Sequence, residues 1–554
     1  MIVTRLNAIK FSYGIAPIFE DLNFNIHDDR CIGLIGQNGS GKSSLMRVIM
    51  GELPLEEGHV SRNPATKIAY MPQDIEYDPA KTVIETIGAA SIELMTVDRS
   101  LHQIESQLGD PKINTNPKAL QKALDRQSIL LEQYIQLGGP GYENNVRNLL
   151  SRFGFDEQEY DLPVDVLSGG QKKLLALASL VLQQPDILLL DEPDNHLDLH
   201  GKAILERFIR DYSGGVILIS HDRYLLDLLV DEIVEIEQGR LNVYPGNYSE
   251  YAVEKQVRAL RQQQVYQAQA KEINRLETSA NRLLTWGRVY DNNKFIRRGN
   301  NILKRLERME TVDQPVLEPD TMNLDLKGWR GSTKVLEIKD LQIAFHDQSN
   351  QSPQRTIIHD ANLLVQHGER VGVVGLNGTG KSILFKAIRG EIQPTRGEII
   401  LGPSVKMGYY AQQHETLMVN LSLIEIVRKT APLSEGRSVA FLNRFRFSYL
   451  QQRDMIGNLS GGERSRLQLA LIMLTNPNFL LLDEPTNNLD IPSAEVLEEV
   501  LGEFQGTILV ISHDRYFLDA VVGRIVELEV GKLIEYVGNY SDYESQKFST
   551  KVKT

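Results

Sequence analysis

The sequence predicts an α/β protein of two tandem domains. Each is built on a mostly parallel sheet, a long antiparallel helical linker joins them, and a helical arm is inserted in the first. Three observations predict this. Short motifs recur in the same order in both halves of the 554 residues. The recurring motifs combine buried-type apolar strands with a Gly-rich loop or an acidic end. Between the halves lies a basic, helix-compatible segment unlike either of them.

The repeat gives the domain plan. GLIGQNGSGKS (33–43) pairs with GVVGLNGTGKS (372–382) at an offset of 339, and Gln73 in YMPQD pairs with Gln412 in YYAQQ at the same offset. VLSGGQ (166–171) pairs with NLSGGE (458–463) at 292. LLLDEPDNHLD and LLLDEPTNNLD, the two ISHDRY segments, and YPGNYSEY with YVGNYSDY keep that second offset. The first copy therefore holds 47 extra residues between Gln73 and Val166, rich in Leu, Gln, Glu and Lys. A helical hairpin over about 85–145 is the simplest insertion. The expected domains are 1–247, a linker over 248–332, and 333–554.

Composition narrows the class. The chain is too long for one core, and 42% apolar with 24% charged residues is ordinary for globular proteins. No apolar run approaches a membrane span, and MIVTRLNAIKFSY lacks a secretory pattern, so a soluble cytosolic protein is expected. One cysteine, Cys31, excludes an internal disulfide framework, a cysteine zinc cage and a protein-ligated iron–sulfur cluster. Its apolar neighbours predict a buried structural thiol. The net charge of −13 argues against a wholly basic nucleic-acid binder. Yet residues 251–310 carry 13 Lys+Arg against 6 Asp+Glu, a local +7 that leaves −20 on the rest. Such asymmetry points to a dedicated element reaching for a polyanion.

In the linker, the stretch 248–284 has no proline and places Ile273, Leu276 and Leu283 on one stripe. TWGRVYDNNKF is expected to break it with Gly, Asp and Asn turn chemistry. A second helix then carries Ile302, Leu306 and Met309, with Pro315 and Pro319 closing it. The tip offers Arg288, Lys294, Arg297 and Arg298 for phosphates and Trp286, Tyr290 and Phe295 for stacking. A solvated spacer is the plainer alternative, but a spacer needs neither this length nor this charge.

The chemistry sits in the repeated motifs. GQNGSGKS follows an apolar strand at 31–35 and precedes a helix, the setting a phosphate-binding loop requires. Backbone amides of Gly36, Gln37, Asn38, Gly39, Ser40, Gly41, Ser43 and Ser44 would converge on phosphates. So would those of Gly375, Leu376, Asn377, Gly378, Thr379, Gly380 and Ser382. Lys42 and Lys381 would bridge β- and γ-phosphates, and Ser43 and Ser382 would ligate Mg²⁺. Residues 187–190 and 479–482 read as strands buried on both faces. Asp191 and Asp483 at their carboxyl ends would hold the metal, and Glu192 and Glu484 would polarise an attacking water. His221 and His513 end another buried strand, where an imidazole could meet the γ-phosphate. Two acids in an ordinary loop would not explain why a phosphate loop accompanies each pair.

With phosphate loop, glutamine loop, LSGGQ-type signature, acidic strand and histidine motif in order, twice, the sequence resembles the ATP-binding-cassette (ABC) ATPases. The resemblance implies two ABC-type nucleotide-binding domains, ATP and Mg²⁺ as ligands, and Gln73 and Gln412 near nucleotide and metal. It further implies composite sites: Ser168, Gly169, Gly170 and Gln171 complete the site of Lys381, and Ser460, Gly461, Gly462 and Glu463 that of Lys42. Tyr13 and Phe345 lie where the family's adenine-stacking aromatic falls; either could equally be a core ring. The signature, starting a helix, suits an anion. The SHDRYLLD and SHDRYFLD motifs, GNYSEY and GNYSDY, and RRGNNILKRLERME resemble the F subfamily, the ribosome-binding translation factors. That resemblance implies an arm on the ribosome, a linker entering the tRNA exit site beside peptidyl-site tRNA, and a monomer pairing its own cassettes. It leaves open translational control, rescue of stalled ribosomes and antibiotic protection.

The sequence departs from the family's DEPTNHLD at Asp194 and Asn488, and more mildly at Phe345 and Glu463. Asp194 is expected to alter nucleotide or metal preference or to meet an exposed cation, and the sites are expected to be unequal. With Thr554 soon after the second cassette, the C-terminal coiled coil of some members of the family is expected to be absent. An ATPase subunit of a membrane transporter and a DNA-associated ATPase remain as other readings.

Overall fold

The computed structural model describes residues 1–14, 16–88, 92–108, 117–136, 139–309, 332–345, 355–411, 417–445, 447–487 and 489–551. Gln412, Asn488, Pro315 and Pro319 lie outside the described residues.

In the first cassette the strands are β1 (Ile2–Tyr13), β2 (Ala16–His27), β3 (Cys31–Gly36), β4 (Glu57–Arg62), β5 (Ile68–Met71), β6 (Ile187–Asp191), β7 (Gly215–Ile219), β8 (Glu232–Glu237) and β9 (Arg240–Pro245). Six of them form one sheet in the order β5-β6-β7-β3-β8-β9. From β5 to β8 all neighbours are parallel. The apolar runs of β6 and β7 are buried at every position, as strands covered on both faces must be. Because β3, β6 and β7 share one direction, the phosphate, acidic and histidine loops all leave the same sheet edge. That is the carboxyl edge, where ligands bind in open α/β sheets.

A second, antiparallel sheet of order β2-β1-β4 covers this layer. Leu6, Ile9, Phe19 and Ile26 from it pack with Leu45 and Met46 of the helix Lys42–Met50 and with Ile32 and Leu34 of β3. The sequence reading did not separate this sheet from the parallel one.

The second cassette repeats the plan with β10 (Lys334–Phe345), β11 (Arg355–Gln366), β12 (Arg370–Val374), β13 (Arg396–Leu401), β14 (Met407–Tyr410), β15 (Phe479–Asp483), β16 (Thr507–Ile511), β17 (Arg524–Glu529) and β18 (Lys532–Val537). Its sheets run β14-β15-β16-β12-β17-β18 and β11-β10-β13. The two cassettes pack as one compact unit, formed by Met1–Val243 with Met322–Thr554. In the inserted region, helices Ile92–Leu108 and Pro117–Gln136 pack against each other.

Tyr244–Thr321 forms a separate unit. Its first helix runs Tyr248–Val289, into the segment expected to break it: Thr285, Trp286, Gly287 and Arg288 are helical. Reversal is confined to Tyr290, Asp291 (φ 48°) and Asn292, whose side chain caps the second helix, Asn293–Glu307. Gly287 stays helical because the second helix fills the space above it: a Cβ there would lie 2.5 Å from Ile296 Cγ1. The expected stripe is observed, with Ile273, Leu276, Leu283, Ile302 and Leu306 half-buried, but Met309 falls just beyond the helix end. Among the described residues no helix is long and apolar enough to cross a membrane.

Candidate active site

The phosphate loops are built alike. β3 ends at Gly36 and β12 at Val374, and helices start at Lys42 and Lys381. Gly41 (φ 99°) and Gly380 (φ 105°) turn left-handed just before those helices. A Cβ on either would meet an isoleucine methyl (Ile18 or Ile357) at 2.5 Å, so only glycine closes the turn. Lys42 Nζ donates to the carbonyls of Gly36 (2.8 Å) and Gln37 (3.2 Å), and Lys381 Nζ to those of Gly375 and Leu376 (both 2.8 Å). Burial lowers both lysines from their ordinary value, against nearby acids led by Glu192 and Glu484 respectively. Asn38, Gly39, Ser40, Ser43 and Ser44 lie in the first loop or opening helical turn, and Gly378, Thr379 and Ser382 in the second.

The acids follow at the strand ends. Asp191 takes the hydroxyl of Tyr70 at 3.2 Å, while its Oδ1 and that of Asp483 have no partner. Burial raises both carboxyls. Glu192 (φ 48°) and Glu484 (φ 47°) adopt left-handed backbone, and their amides still pair with the carbonyls of Ile219 and Ile511 at 2.9 Å. One residue past each strand, backbone pairing thus persists in a conformation few side chains adopt.

Beyond this the two glutamates differ. Glu192 accepts from Gln73 Nε2 (2.7 Å) and Asn195, and lies 3.5 Å from His221 Nε2. Burial pulls its pKa up, but His221, Lys42 and Lys173 outweigh it and hold the carboxyl below the ordinary value. Glu484 accepts from the His513 amide at 3.2 Å, with His513 Nε2 at 3.4 Å. Burial pushes it up to about 7 against the pull of Lys381. Burial, with Lys381 and Lys202, drives the His513 imidazole well below its ordinary value.

The signatures cap helices. Ser168 and Ser460 accept from the amides of Gln171 (3.2 Å) and Glu463 (3.3 Å), whose side chains return to the serine amides. Each is a reciprocal capping box that leaves the first-turn amides of Gly169, Gly170, Gly461 and Gly462 at a positive helix end. Glu463 is compensated: Gln171 donates to Glu159 (2.8 Å), and in the second cassette Gln451 donates to Glu463 (2.7 Å), the same bond with its ends exchanged.

A cavity of about 380 Å³ lies between the cassettes. Ser168, Gly169 and Gly170 line it from the first, and Asn377, Gly378, Glu484 and His513 from the second. Asn377 closes its edge, donating from its amide to Asp198 (2.8 Å) and from its side chain to the His196 carbonyl (3.1 Å). Opposite, Asn38 reaches Asp490 at 3.4 Å. Asp198, Asp490, Asn195, Lys202, Arg223 and Arg515 were not singled out from sequence. Their signal was their place in or beside the repeated motifs. Tyr13 and Phe345 end β1 and β10 half-exposed, Tyr13 edge-on to Phe11. Cys31 opens β3, where burial pushes its thiol up to about 12. Asp194 meets no exposed cation: it is buried beside Lys202, itself buried.

A family model described as ABC transporter matches residues 19–195 and 358–487, and a companion model with the same description matches 234–326. The energy-dependent translational throttle protein EttA of Haemophilus influenzae is 34% identical over 96% of this chain and 93% of its own. ABC transporter F family member 5 of Arabidopsis thaliana is 31% identical over 99% and 78%. Among solved structures, the complex of archaeal ribosomal stalk protein aP1 with the archaeal ribosome recycling factor aABCE1 shares the fold at TM-score 0.60 and 18% identity. That match covers 98% of this chain and 92% of the other. The chain belongs to the ATP-binding-cassette family, in its F subfamily, and is a tandem-cassette ATP hydrolase.

Proposed function

We propose that the protein is an ATP-driven clamp that acts on the ribosome to regulate or protect translation. Residues 1–247 and 333–554 serve as cassettes and 248–332 as the element reaching ribosomal RNA and tRNA. The observation that carries the clamp is the cavity roofed by Ser168–Gly170 of one cassette and floored by Asn377, Gly378 and Glu484 of the other. A phosphate chain held there contacts both halves, so ATP favours closure and its loss of phosphate favours opening. The ribosome enters from the relatives: one is named a translational throttle, and the structural neighbour contains a ribosome recycling factor. The arm and the basic linker are the surfaces we assign to it, within a monomer in the cytoplasm.

In the clamp, Lys42 and Lys381 exchange loop carbonyls for phosphate oxygens, and the signature amides bind the γ-phosphate from the facing cassette. Glu192 and Glu484 orient water for in-line attack, and His221 and His513 hold those carboxylates in place. The donors suit a hydrated Mg²⁺ in each site. Asp191 and Asp483 each present a buried oxygen without a hydrogen-bond partner, and with Ser43 and Ser382 they are the residues that would hold it. When bound, that ion neutralises charge developing on the phosphates. Gln73, bonded to Glu192, and Gln412 are assigned beside it.

The test is sedimentation of the Glu192→Gln, Glu484→Gln double variant with purified ribosomes, in ATP and in ADP. Pelleting with ATP alone is expected. A variant that stays in the supernatant under both nucleotides removes the ribosome from the proposal, and rapid ATP turnover by it removes both carboxylates.

A further inference from the structure

The two cassettes differ at two buried positions that change together. At the repeat offset of 292, Asp194 corresponds to Thr486 and Lys202 to Ala494. All four are within or near the interface, and Asp194, Lys202 and Ala494 are buried. Lys202 Nζ donates to Asp222 Oδ2 at 2.7 Å in its own cassette and to the His513 carbonyl at 2.9 Å in the other. Asp222 follows His221 directly. One ammonium therefore joins the histidine loops of both ATP sites.

The two ends of this link are not equivalent. The cassette-1 loop has local supports: Asp222 takes the amide of Leu225 (3.1 Å), and its own amide donates to Ser220 Oγ (2.9 Å). The second cassette has the same supports at Asp514, with Ser512 (3.1 Å) and Phe517 (3.0 Å). The His513 peptide receives, in addition, a cation from across the interface, whereas Ala494, the counterpart of Lys202, has no donor to offer His221. The amide of that same residue donates to Glu484 at 3.2 Å. Position is thus passed from Lys202 to the His513 peptide and on to the glutamate.

An ammonium taken out of water is tolerated only when paired, and Asp222, Asp194 and, across the interface, Asp514 supply carboxylates around it. This accounts for Asp194: it belongs with Lys202 as Thr486 belongs with Ala494, while each keeps the equivalent serine as a partner, Ser220 for Asp194 and Ser512 Oγ at 3.5 Å for Thr486. We propose that Lys202 is a positioning residue acting in trans. Held by Asp194 and Asp222, it fixes the His513 loop and hence Glu484 when the cassettes close, so hydrolysis at the Lys381 site depends on a side chain of the other cassette for which the Lys42 site has no counterpart. The inference rests on the roles given above to Glu192 and Glu484.

The experiment exchanges the pair, Asp194→Thr with Lys202→Ala, which copies what the second cassette already folds around. It is done in the full chain, in Glu192→Gln and Glu484→Gln backgrounds, and steady-state ATP turnover is read. In the Glu192→Gln background, where the Lys381 site turns over, kcat is expected to fall by about ten-fold with KM for ATP unchanged, as a displaced reacting group requires. In the Glu484→Gln background the change is expected to stay under about two-fold. An equal fall in both backgrounds marks a merely structural pair and overturns the proposal, as does no fall in either. Should the exchange not fold, Asp194→Thr with Lys202→Met keeps the aliphatic stem and reads the same split. Failure of the underlying roles shows separately, as turnover by the chain carrying both glutamines.

Discussion

Glu192 and Glu484 stand at the same place in their cassettes, one residue past a buried strand, and meet opposite conditions. Gln73, Asn195 and His221 surround Glu192, whereas Glu484 is sealed by the closed interface and pushed up to about 7 from an ordinary 4.5. The nucleotide-free native state then keeps a proton on Glu484 between those values that the unfolded chain has released. Stability is full below the unfolded value and falls as pH rises through the folded one. Across the window the loss is about 3 kcal/mol. Glu484→Gln keeps an acceptor for the His513 amide and carries no charge. Its nucleotide-free melting temperature is expected to exceed that of the parent at pH 8 and to approach it at pH 5. Glu192, held below its ordinary value, has the opposite sign, so Glu192→Gln is expected to melt below the parent at pH 8. A gap for Glu484→Gln that ignores pH would show that this carboxyl is charged throughout. The motifs named these residues from sequence, and the departures at Asp194 and Glu463 pointed to unequal sites, but not to the way the two glutamates differ. That arises from the deeper burial of Glu484, which the fold imposes against the pull of Lys381 and Lys202, and it sits beside compensations such as Gln451 for Glu463 and Lys202 for Asp194 that only neighbours in space can display.

Among the elements, the helix starts were the most legible. GNYSEY and GNYSDY each place an Asn cap with an acid three residues on: Asn247 with Glu250 and Asn539 with Asp542, at 3.1 Å in both. The tyrosines beside them form matching ring clusters, Tyr244–Tyr251–Tyr248 and Tyr536–Tyr543–Tyr540. The antiparallel β2-β1-β4 sheet was illegible because register shifts at Ile2/Thr4, Leu6/Ile9, Ile9/Phe11 and Phe11/Ser12 scramble the alternation a strand should display. The linker break falls inside the expected segment, at its Asp and Asn, but begins later than expected because Gly287, read as a turn signal, serves close packing. So does Gly299, where a Cβ would lie 2.8 Å from Leu284 Cγ and 3.1 Å from the Ala280 carbonyl. Gly287→Val with Gly299→Val should therefore splay the hairpin at a cost of about 1–3 kcal/mol per site. The expected result is weaker ATP-dependent ribosome pelleting with ATP turnover of the free protein within about two-fold of the parent. Undiminished pelleting would show that hairpin geometry is not what the ribosome recognises.

On the scale of the molecule, the cassettes are joined by two matching ion pairs whose partners no local pattern connects. Arg223 donates to Glu498 (3.1 Å from Nη1) and lies 4.5 Å above the ring of Tyr516. Arg515 donates to Glu206 at 2.6 Å and lies 4.7 Å above the ring of Tyr224. Both arginines are buried, so these pairs differ from surface bridges worth at most about 1 kcal/mol. Removing one partner of a buried pair strands the other charge and costs about 3–5 kcal/mol. In an open clamp water can reach both partners, so the cost falls on the closed state and must be made up by nucleotide. Arg223→Ala or Glu498→Ala, in the Glu192→Gln, Glu484→Gln background, is thus expected to need at least about ten-fold more ATP to close. Energy transfer between fluorophores on the two cassettes would measure it. The exchanged pair, Arg223→Glu with Glu498→Arg, is expected to recover part of that shift, because opposite charges again meet although the Arg–Tyr516 stacking is lost. Closure at unchanged ATP in the single variants would mean that water still reaches these charges in the closed clamp. Equal weakening in single and exchanged variants would mean that packing, and not charge, holds the two halves together.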